Sequence, residues 1–301
     1  MVDKTIQSGE KLQLNFDVEN RGTRRGSQTV ELLLDDTVVD EEAVVLDSTE
    51  TGQLVLETDA FSDDDGGQVF VVETVIGTRT EATFEVEVAA IPDGSLESLL
   101  SQVAFHAQDL NDGDPVEIGE DQSGNGNDLN QSDTAPTYST NEVNGYDAAY
   151  FDDDTLYRAD ADFTDVSQAF TVITVHRLDD TSTNRVVAGS DGQNQTQMYW
   201  GGNSEAWSMF AGNTAVEGSG DTTIQMTAVV FDGSNSELYE ETTQTATGDA
   251  GTNGLTGPLL GNRNEGDEPW IGPIVYAEWH DGLPSSGLQD RLQEVFDFYL
   301  A

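Results

Sequence analysis

The chain has no cysteine, so it carries neither a disulfide framework nor a thiolate metal site. Lysine is almost missing: Lys4 and Lys11 are the only two, and Lys and Arg together number 11 against 58 Asp and Glu. That shortage of cations leaves no basic patch to release counterions from a phosphate backbone, which excludes nucleic acid as a partner class. No apolar run approaches the ~20 residues that cross a bilayer, so no membrane insertion is expected. The three histidines, His106, His176 and His280, lie far apart, and none stands in a His-Glu-x-x-His zinc pattern. Neither a Gly-x-Ser-x-Gly elbow nor a Gly-x-x-x-x-Gly-Lys phosphate loop occurs.

What is present is acid. The formal net charge is −47 over 301 residues, with a hydrophobic fraction of 36%. Low hydrophobicity with high charge is one signature of disorder. Against it, apolar residues alternate in many short runs, with aromatics spread along the chain, a pattern that disorder does not maintain. The charge therefore points to a folded protein working in concentrated salt. At ~1 M ionic strength the Debye length is only ~3 Å, and self-repulsion is screened. The expected source is an extreme halophile or its virus.

The first ninety residues read as short strands. Leu12, Leu14, Phe16 and Val18 share one face, Asn20 to Gly26 forms a turn, and Ser27 to Leu34 follows. Val38 to Leu46, Leu54 and Leu56, Val69 to Val75, and Ala82 to Val88 complete the set. Short strands with turns at this spacing predict a small immunoglobulin-like sandwich. The runs Phe16-Asp-Val-Glu-Asn-Arg-Gly22 and Gly26-Ser-Gln-Thr-Val-Glu-Leu-Leu-Leu-Asp-Asp36 resemble CARDB-type adhesion-related modules, over about residues 8 to 88. Such a resemblance implies a spacer or anchoring unit. Residues 1–90 are assigned to it, and a short linker, Ala89-Ala-Ile-Pro-Asp-Gly94, leads into a second domain, 91–301.

That second domain is organised around Asp121-Gln-Ser-Gly-Asn-Gly-Asn-Asp-Leu129. Gly124 and Gly126 reach φ > 0 cheaply, Asn125 and Asn127 tolerate it, and Asp121 and Ser123 can bond nearby backbone N–H groups. The segment should be a rigid corner between strands. Around it stand Asn111-Asp-Gly-Asp-Pro-Val116, Pro136-Thr-Tyr138, Asn144-Gly145 and Tyr150-Phe-Asp-Asp153. In this order the landmarks resemble the laminin G-like, concanavalin A-like jelly-roll domains, with Gly119 where the usual Trp stands and Asp153 where the last Gly stands. Further runs fit as strands: Phe170 to His176, Arg185 to Ala188, Gln197 to Trp200, Ala206 to Phe210, Thr227 to Phe231, and Glu237 to Tyr239. Leu259 to Arg263 and Trp270 to Trp279 match two late strands of the same pattern. Ser95 is placed to cap a helical turn, Leu96 to Gln102. Leu288, Leu292, Val295, Phe296 and Tyr299 recur at helical spacing, with Ser285 or Ser286 as cap, and predict a C-terminal helix.

The expected fold class is therefore all-β: an immunoglobulin-like β-sandwich, then a concanavalin A-like jelly roll with a short C-terminal helix. Jelly-roll glycosidases need two carboxylates ~5 to 9 Å apart, commonly as Glu-x-Asp-x-x-Glu on one strand. Glu265, Asp267 and Glu268 come nearest, but Trp270 takes the second Glu position; Glu278 is the best lone acid. Catalysis is not expected. Asp112, Asp114, Asp121 and Asp152 are candidate calcium ligands, with a screened acidic rim as the plainer alternative. Gln193, Asn194, Tyr199, Trp200, Asn203 and Trp207 offer aromatic and amide groups for a glycan, although Trp200 and Trp207 also fit as core filling. Arg21, Arg24 and Arg25 are the one cationic cluster, suited to an acidic neighbouring subunit or to an exposed turn.

Both resemblances imply extracellular work, yet Met1-Val-Asp-Lys-Thr-Ile6 is no secretory leader. The expectation is a structural or recognition protein on the surface of a halophilic archaeal virus: a capsid decoration, turret or tail fibre. It would act as a homo-oligomer with other virion proteins, and meet host glycan or S-layer. A secreted or cell-surface adhesin with a trimmed leader is the alternative, and a glycan-active hydrolase a third.

Overall fold

The computed structural model describes residues 4–7, 12–19, 25–35, 37–47, 49–58, 69–76, 79–89, 99–131, 134–152, 156–157, 163–190, 195–213, 215–262, 268–282 and 287–301. The chain is all-β and divides into two compact units, Met1–Ile91 and Pro92–Ala301.

The first unit contains β1 (Lys4–Gln7), β2 (Gln13–Glu19), β3 (Gly26–Leu34), β4 (Thr37–Leu46), β5 (Thr51–Glu57), β6 (Val69–Ile76) and β7 (Arg79–Ala89). Five strands form one sheet, β1-β7-β6-β3-β4, with β1 parallel to β7; β2 and β5 pair separately. Alternation sends Val30, Leu32 and Val72 of the larger sheet and Leu54 and Leu56 of the smaller into one core with Leu12. Thr58 closes it: its Oγ1 accepts from Leu12 N at 3.0 Å while its own N–H donates to Leu12 O at 3.0 Å. This is an immunoglobulin-like sandwich. The outward face is acidic, and Glu31 stands directly opposite Glu41 across β3 and β4.

The second unit is a concanavalin A-like jelly roll. In chain order its strands are β8 (Leu99–Ala104), β9 (Ile118–Gly119), β10 (Leu129–Gln131), β11 (Thr137–Val143), β12 (Tyr146–Asp152), β13 (Leu156–Tyr157), β14 (Phe170–His176) and β15 (Arg185–Ser190). There follow β16 (Gln197–Gly201), β17 (Ala206–Phe210), β18 (Val216–Glu217), β19 (Met226–Phe231), β20 (Ser236–Glu240), β21 (Thr243–Gly248), β22 (Pro258–Leu260) and β23 (Ile271–Asp281). One sheet runs β11-β12-β23-β14-β19-β20-β21, with β8 also paired to β23; the other runs β18-β17-β16-β15-β22-β13-β10-β9. Between them lie Phe105, Phe151, Phe170, Phe231 and all four tryptophans. The Asn144-Gly145 turn joining β11 to β12 has φ of 52° and 91°, the left-handed geometry a tight hairpin requires.

One helix, α1 (Leu288–Tyr299), covers the outer face of the first sheet, burying Leu288, Arg291, Leu292, Val295 and Tyr299. It starts after Gly287 with no side-chain cap; Ser285 and Ser286 lie outside the described residues. Its last carbonyls are satisfied from the hairpin: Asn144 Nδ2 donates to Tyr299 O at 2.9 Å and Tyr146 OH to Phe298 O at 2.5 Å. The helical turn expected over Leu96 to Gln102 is corrected: from Leu99 onward the chain is β8, because its residues pair with β23 from Tyr276 to His280.

Candidate functional site

The lone acid, Glu278, sits on β23, where Ala277 and Trp279 point into the sandwich and Tyr276, Glu278 and His280 face α1. It is wholly buried. Arg291 Nε donates to Oε1 at 3.0 Å and Nη2 to Oε2 at 2.5 Å. Tyr276 OH donates to Oε2 at 2.6 Å, and His280 Nε2 lies 3.3 Å from Oε1. Gln102 Nε2, on β8, donates in turn to Tyr276 OH at 2.6 Å. Burial pushes the Glu278 carboxyl up, but His280 and Arg291 beside it outweigh that and hold it well below the usual range. Burial likewise drives the Tyr276 phenol far up. An acid that keeps its negative charge and has both oxygens engaged neither donates a proton nor meets a substrate.

Sequence reasoning missed Arg291. Its signal was a cation on the apolar stripe of the helix, beside Leu288, Leu292 and Val295, matched by one acid in the otherwise uncharged run Tyr276-Ala-Glu-Trp279.

The organising loop is closed on itself. Asp121 Oδ1 accepts from Gln102 N at 2.9 Å and Ser123 N at 3.0 Å, and Oδ2 from Ser123 Oγ and Asn127 N, both at 2.8 Å. Asn125 Nδ2 reaches Leu99 O at 2.8 Å and Asn127 Nδ2 reaches Leu100 O at 2.6 Å, which staples the loop to β8. Gly124 and Gly126 take φ of 80° and 72°. Asp112 accepts from Thr140 N at 3.1 Å and Asp114 from Asn111 N at 2.9 Å, while Asp152 is exposed. Among the described residues no group of three His, Asp or Glu side chains is arranged to hold a metal ion. Asp114 and Asp121 accept hydrogen bonds within their own loops, and Asp112 accepts from Thr140 on β11.

For the glycan residues the structure redraws the surface. Trp200 and Trp207 face each other across β16 and β17, with rings 5.8 Å apart, on the inward side with Met198 and Met209. At 2% and 0% exposure they are core, not platform. The same alternation turns Gln197, Tyr199 and Ser208 outward. Asn203 is exposed in the turn between these strands; Gln193 and Asn194 lie outside the described residues.

On that outward side Val186, Gly189, Ser190, Gln195, Thr196, Gln197, Leu259 and Asn262 surround a narrow recess with no room for a water-sized sphere. Gly189 makes it possible, since a Cβ there would stand 2.5 Å from Thr196 O. Ser190 Oγ accepts from Thr256 N at 2.9 Å, and Asn253 Nδ2 donates to Gln195 O at 3.0 Å. Gln197 is 6% and Thr196 1% exposed, yet Gln197 Nε2 and Thr196 Oγ1 have no hydrogen-bond partner among the described residues. Half-buried Tyr199 pairs with Val186 and so stands beside the recess. Burial, and after it the carboxylates of Glu268 and Glu217, push its phenol upward.

The remaining candidates are structural or out of reach. Burial alone takes His106 down to about 4 and His176 down to about 3. His106 packs against the rings of Tyr146 and Tyr299 at 5.2 and 5.5 Å; His176 packs against Trp207 and Trp270 at 4.9 and 5.1 Å. Arg25 is exposed, 3.8 Å from Asp47, while Arg21 and Arg24 lie outside the described residues.

No family model matches the chain, and no curated protein matches it in sequence. Among solved structures it is similar to domain 4 of an extracellular GH43 arabinanase from Geobacillus stearothermophilus, in complex with arabinotriose. There the identity is 18%, covering 65% of this chain and 98% of that one, with a TM-score of 0.46. It is similar to a Trypanosoma rangeli sialidase at 11% identity, covering 69% of this chain but only 33% of the sialidase, with a TM-score of 0.42. The CARDB domain of a Pyrococcus furiosus protein, in complex with di-metal ions, matches at 15% identity over 30% of this chain and 87% of that domain, TM-score 0.24. Likenesses this distant assign neither ligand nor activity to this chain.

Proposed function

We propose that the chain is a non-enzymatic recognition protein that works outside the cell in concentrated salt, with its jelly roll turned toward a glycan. The observation that supports this reading is the contrast between two polar sites of that unit. Glu278 is sealed beneath α1 with both oxygens engaged, whereas the opposite sheet carries half-buried Tyr199 on its outward side and exposed Asn203 in the turn between β16 and β17. Aromatic and amide groups at a surface are what a glycan contacts.

In its finer form the proposal is a virion component of a halophilic archaeal virus, a homo-oligomeric decoration, turret or fibre that meets host glycan or S-layer. The net charge of −47 supports the saline setting, and the resemblance of the two modules to surface domains supports the display role. Mass spectrometry of purified particles against uninfected cell envelopes tests it. Many copies per particle are expected; presence in envelopes alone would leave a cell-surface adhesin instead. Cleavage of envelope polysaccharide in strong salt, abolished by Glu278→Gln, would overturn the non-enzymatic part.

A further inference from the structure

We propose that Asn130 is a site of N-linked glycan attachment on the jelly roll, and that Asn194, in the chain's other acceptor motif, stays bare. This rests on the extracellular reading above and adds a covalent sugar that the chain carries, distinct from any that it recognises. Two runs fit the Asn-x-Ser/Thr acceptor pattern, Asn130-Gln-Ser132 and Asn194-Gln-Thr196. The fold treats them differently.

Asn130 lies in β10, beside the edge strand β9 of its sheet. Leu129 before it is buried in the core, so alternation turns Asn130 outward, where it is exposed. Among the described residues its Nδ2 makes a single long contact, 3.5 Å to Asp128 O, which leaves the amide available. Ile118 stands directly opposite on β9 and is 45% exposed, the one exposed large hydrophobic among the described residues of this unit. Opposed residues share a face of the sheet, so the first sugar on Asn130 would rest against Ile118 and shield it. Ser132 completes the motif in sequence and lies outside the described residues.

The second motif is closed. It requires a hydroxyl two residues after the acceptor, and Thr196 is 1% exposed with its Oγ1 buried. Thr196 O accepts from Ser190 N at 3.1 Å, and Gln195 O accepts from Asn253 Nδ2 at 3.0 Å, so this stretch is fixed against its neighbours. Asn194 itself lies outside the described residues.

The donor for Asn130 is an oligosaccharide linked through a phosphate to a lipid. Asn130 Nδ2 attacks its anomeric carbon; the N–C bond forms as the anomeric C–O bond breaks. The lipid phosphate leaves with the electron pair, and Nδ2 gives up one proton. The product is an exposed, bulky and solubilising group beside β9.

The test is glycopeptide mass spectrometry of the chain isolated from the particles or envelopes that hold it, with the cytosolic fraction alongside. Trypsin separates the motifs, cutting after Arg79 and Arg158 around the first and after Arg185 and Arg263 around the second. A saccharide mass increment is expected on the first peptide in most copies and none on the second. In the same host Asn130→Gln and Ser132→Ala should each abolish the increment, and Asn194→Gln should leave it unchanged. A chain on particles or envelopes with Asn130 bare overturns this inference while the extracellular reading stands. A glycan on Asn194, or an increment that survives Asn130→Gln, overturns it as well. A chain confined to the cytosol removes the extracellular reading, and this inference with it.

Discussion

The two units of this chain solve the same problem, an overwhelming surplus of negative charge, in different places. In the first, the described core is Leu and Val with no buried ionic group, and the acids stand outside, some directly opposed, as Glu31 and Glu41 are. In the second, charge is taken inside and locked: Glu278 and Arg291 are both at 0% exposure, and all three histidines are buried. The first unit therefore depends on what the solvent does to repulsion. The second depends on whether its interior groups keep their protonation states.

The largest blow to that contrast is Arg291→Leu, which strands a buried carboxylate. A loss of about 3 to 5 kcal/mol is expected, confined to the second unit, and read by calorimetry together with segment-resolved hydrogen exchange. Glu278→Leu combined with Arg291→Leu should recover much of it; failure to recover would mean the pair contributes more than its desolvation costs.

Acidification comes next. Burial depresses His106 to about 4 and His176 to about 3, so the unfolded chain, titrating near 6.5, takes up protons first. The contribution of neutral burial is whole above pH 6.5 and lost as pH falls toward those values, on the order of 3 kcal/mol from His106 alone. Glu278, held low, adds its own loss once pH drops through the ordinary carboxylate range. Between pH 6.5 and 5 the second unit should weaken while the first, which has no histidine, holds. Equal weakening of both would break the comparison.

Asp121→Ala should cost the second unit about 1 to 3 kcal/mol, since three backbone N–H groups and Ser123 lose their acceptor; Asp121→Asn should cost less. The smallest effect belongs to Glu41→Gln. It should raise the thermal midpoint of the first unit in dilute buffer and do nothing at ~1 M salt, where the opposed charges are screened. Far-ultraviolet dichroism or hydrogen exchange must read it, because every Trp and Tyr belongs to the second unit.

What sequence could reveal follows from range. Alternation along β2, β3, β16 and β17 is written in adjacent residues, and so is the closed loop at Asp121, whose partners Ser123 and Asn127 are neighbours. The same alternation separates Trp200 and Trp207, facing inward, from Tyr199, facing out. The lock on Glu278 is different. It joins a strand, a helix and, through Gln102 and Tyr276, residues 174 apart, and no local pattern carries such a pairing. The recess is equally non-local, since Leu259 and Gln197 meet only because β15 lies between β16 and β22. Its clue, an amide on the outward side of an aromatic-rich strand, needs the facing strands before it means anything.

The pairing of β8 with β23 also sets the order in which this protein can be made. The first strand of the jelly roll finds its neighbour only after some 170 further residues exist, and Glu278 finds its counter-charge only when α1 follows. During synthesis the first unit can close early, on contacts within its own ninety residues. The second must wait, with an edge strand and an uncompensated acid exposed, until its final helix arrives to shut it.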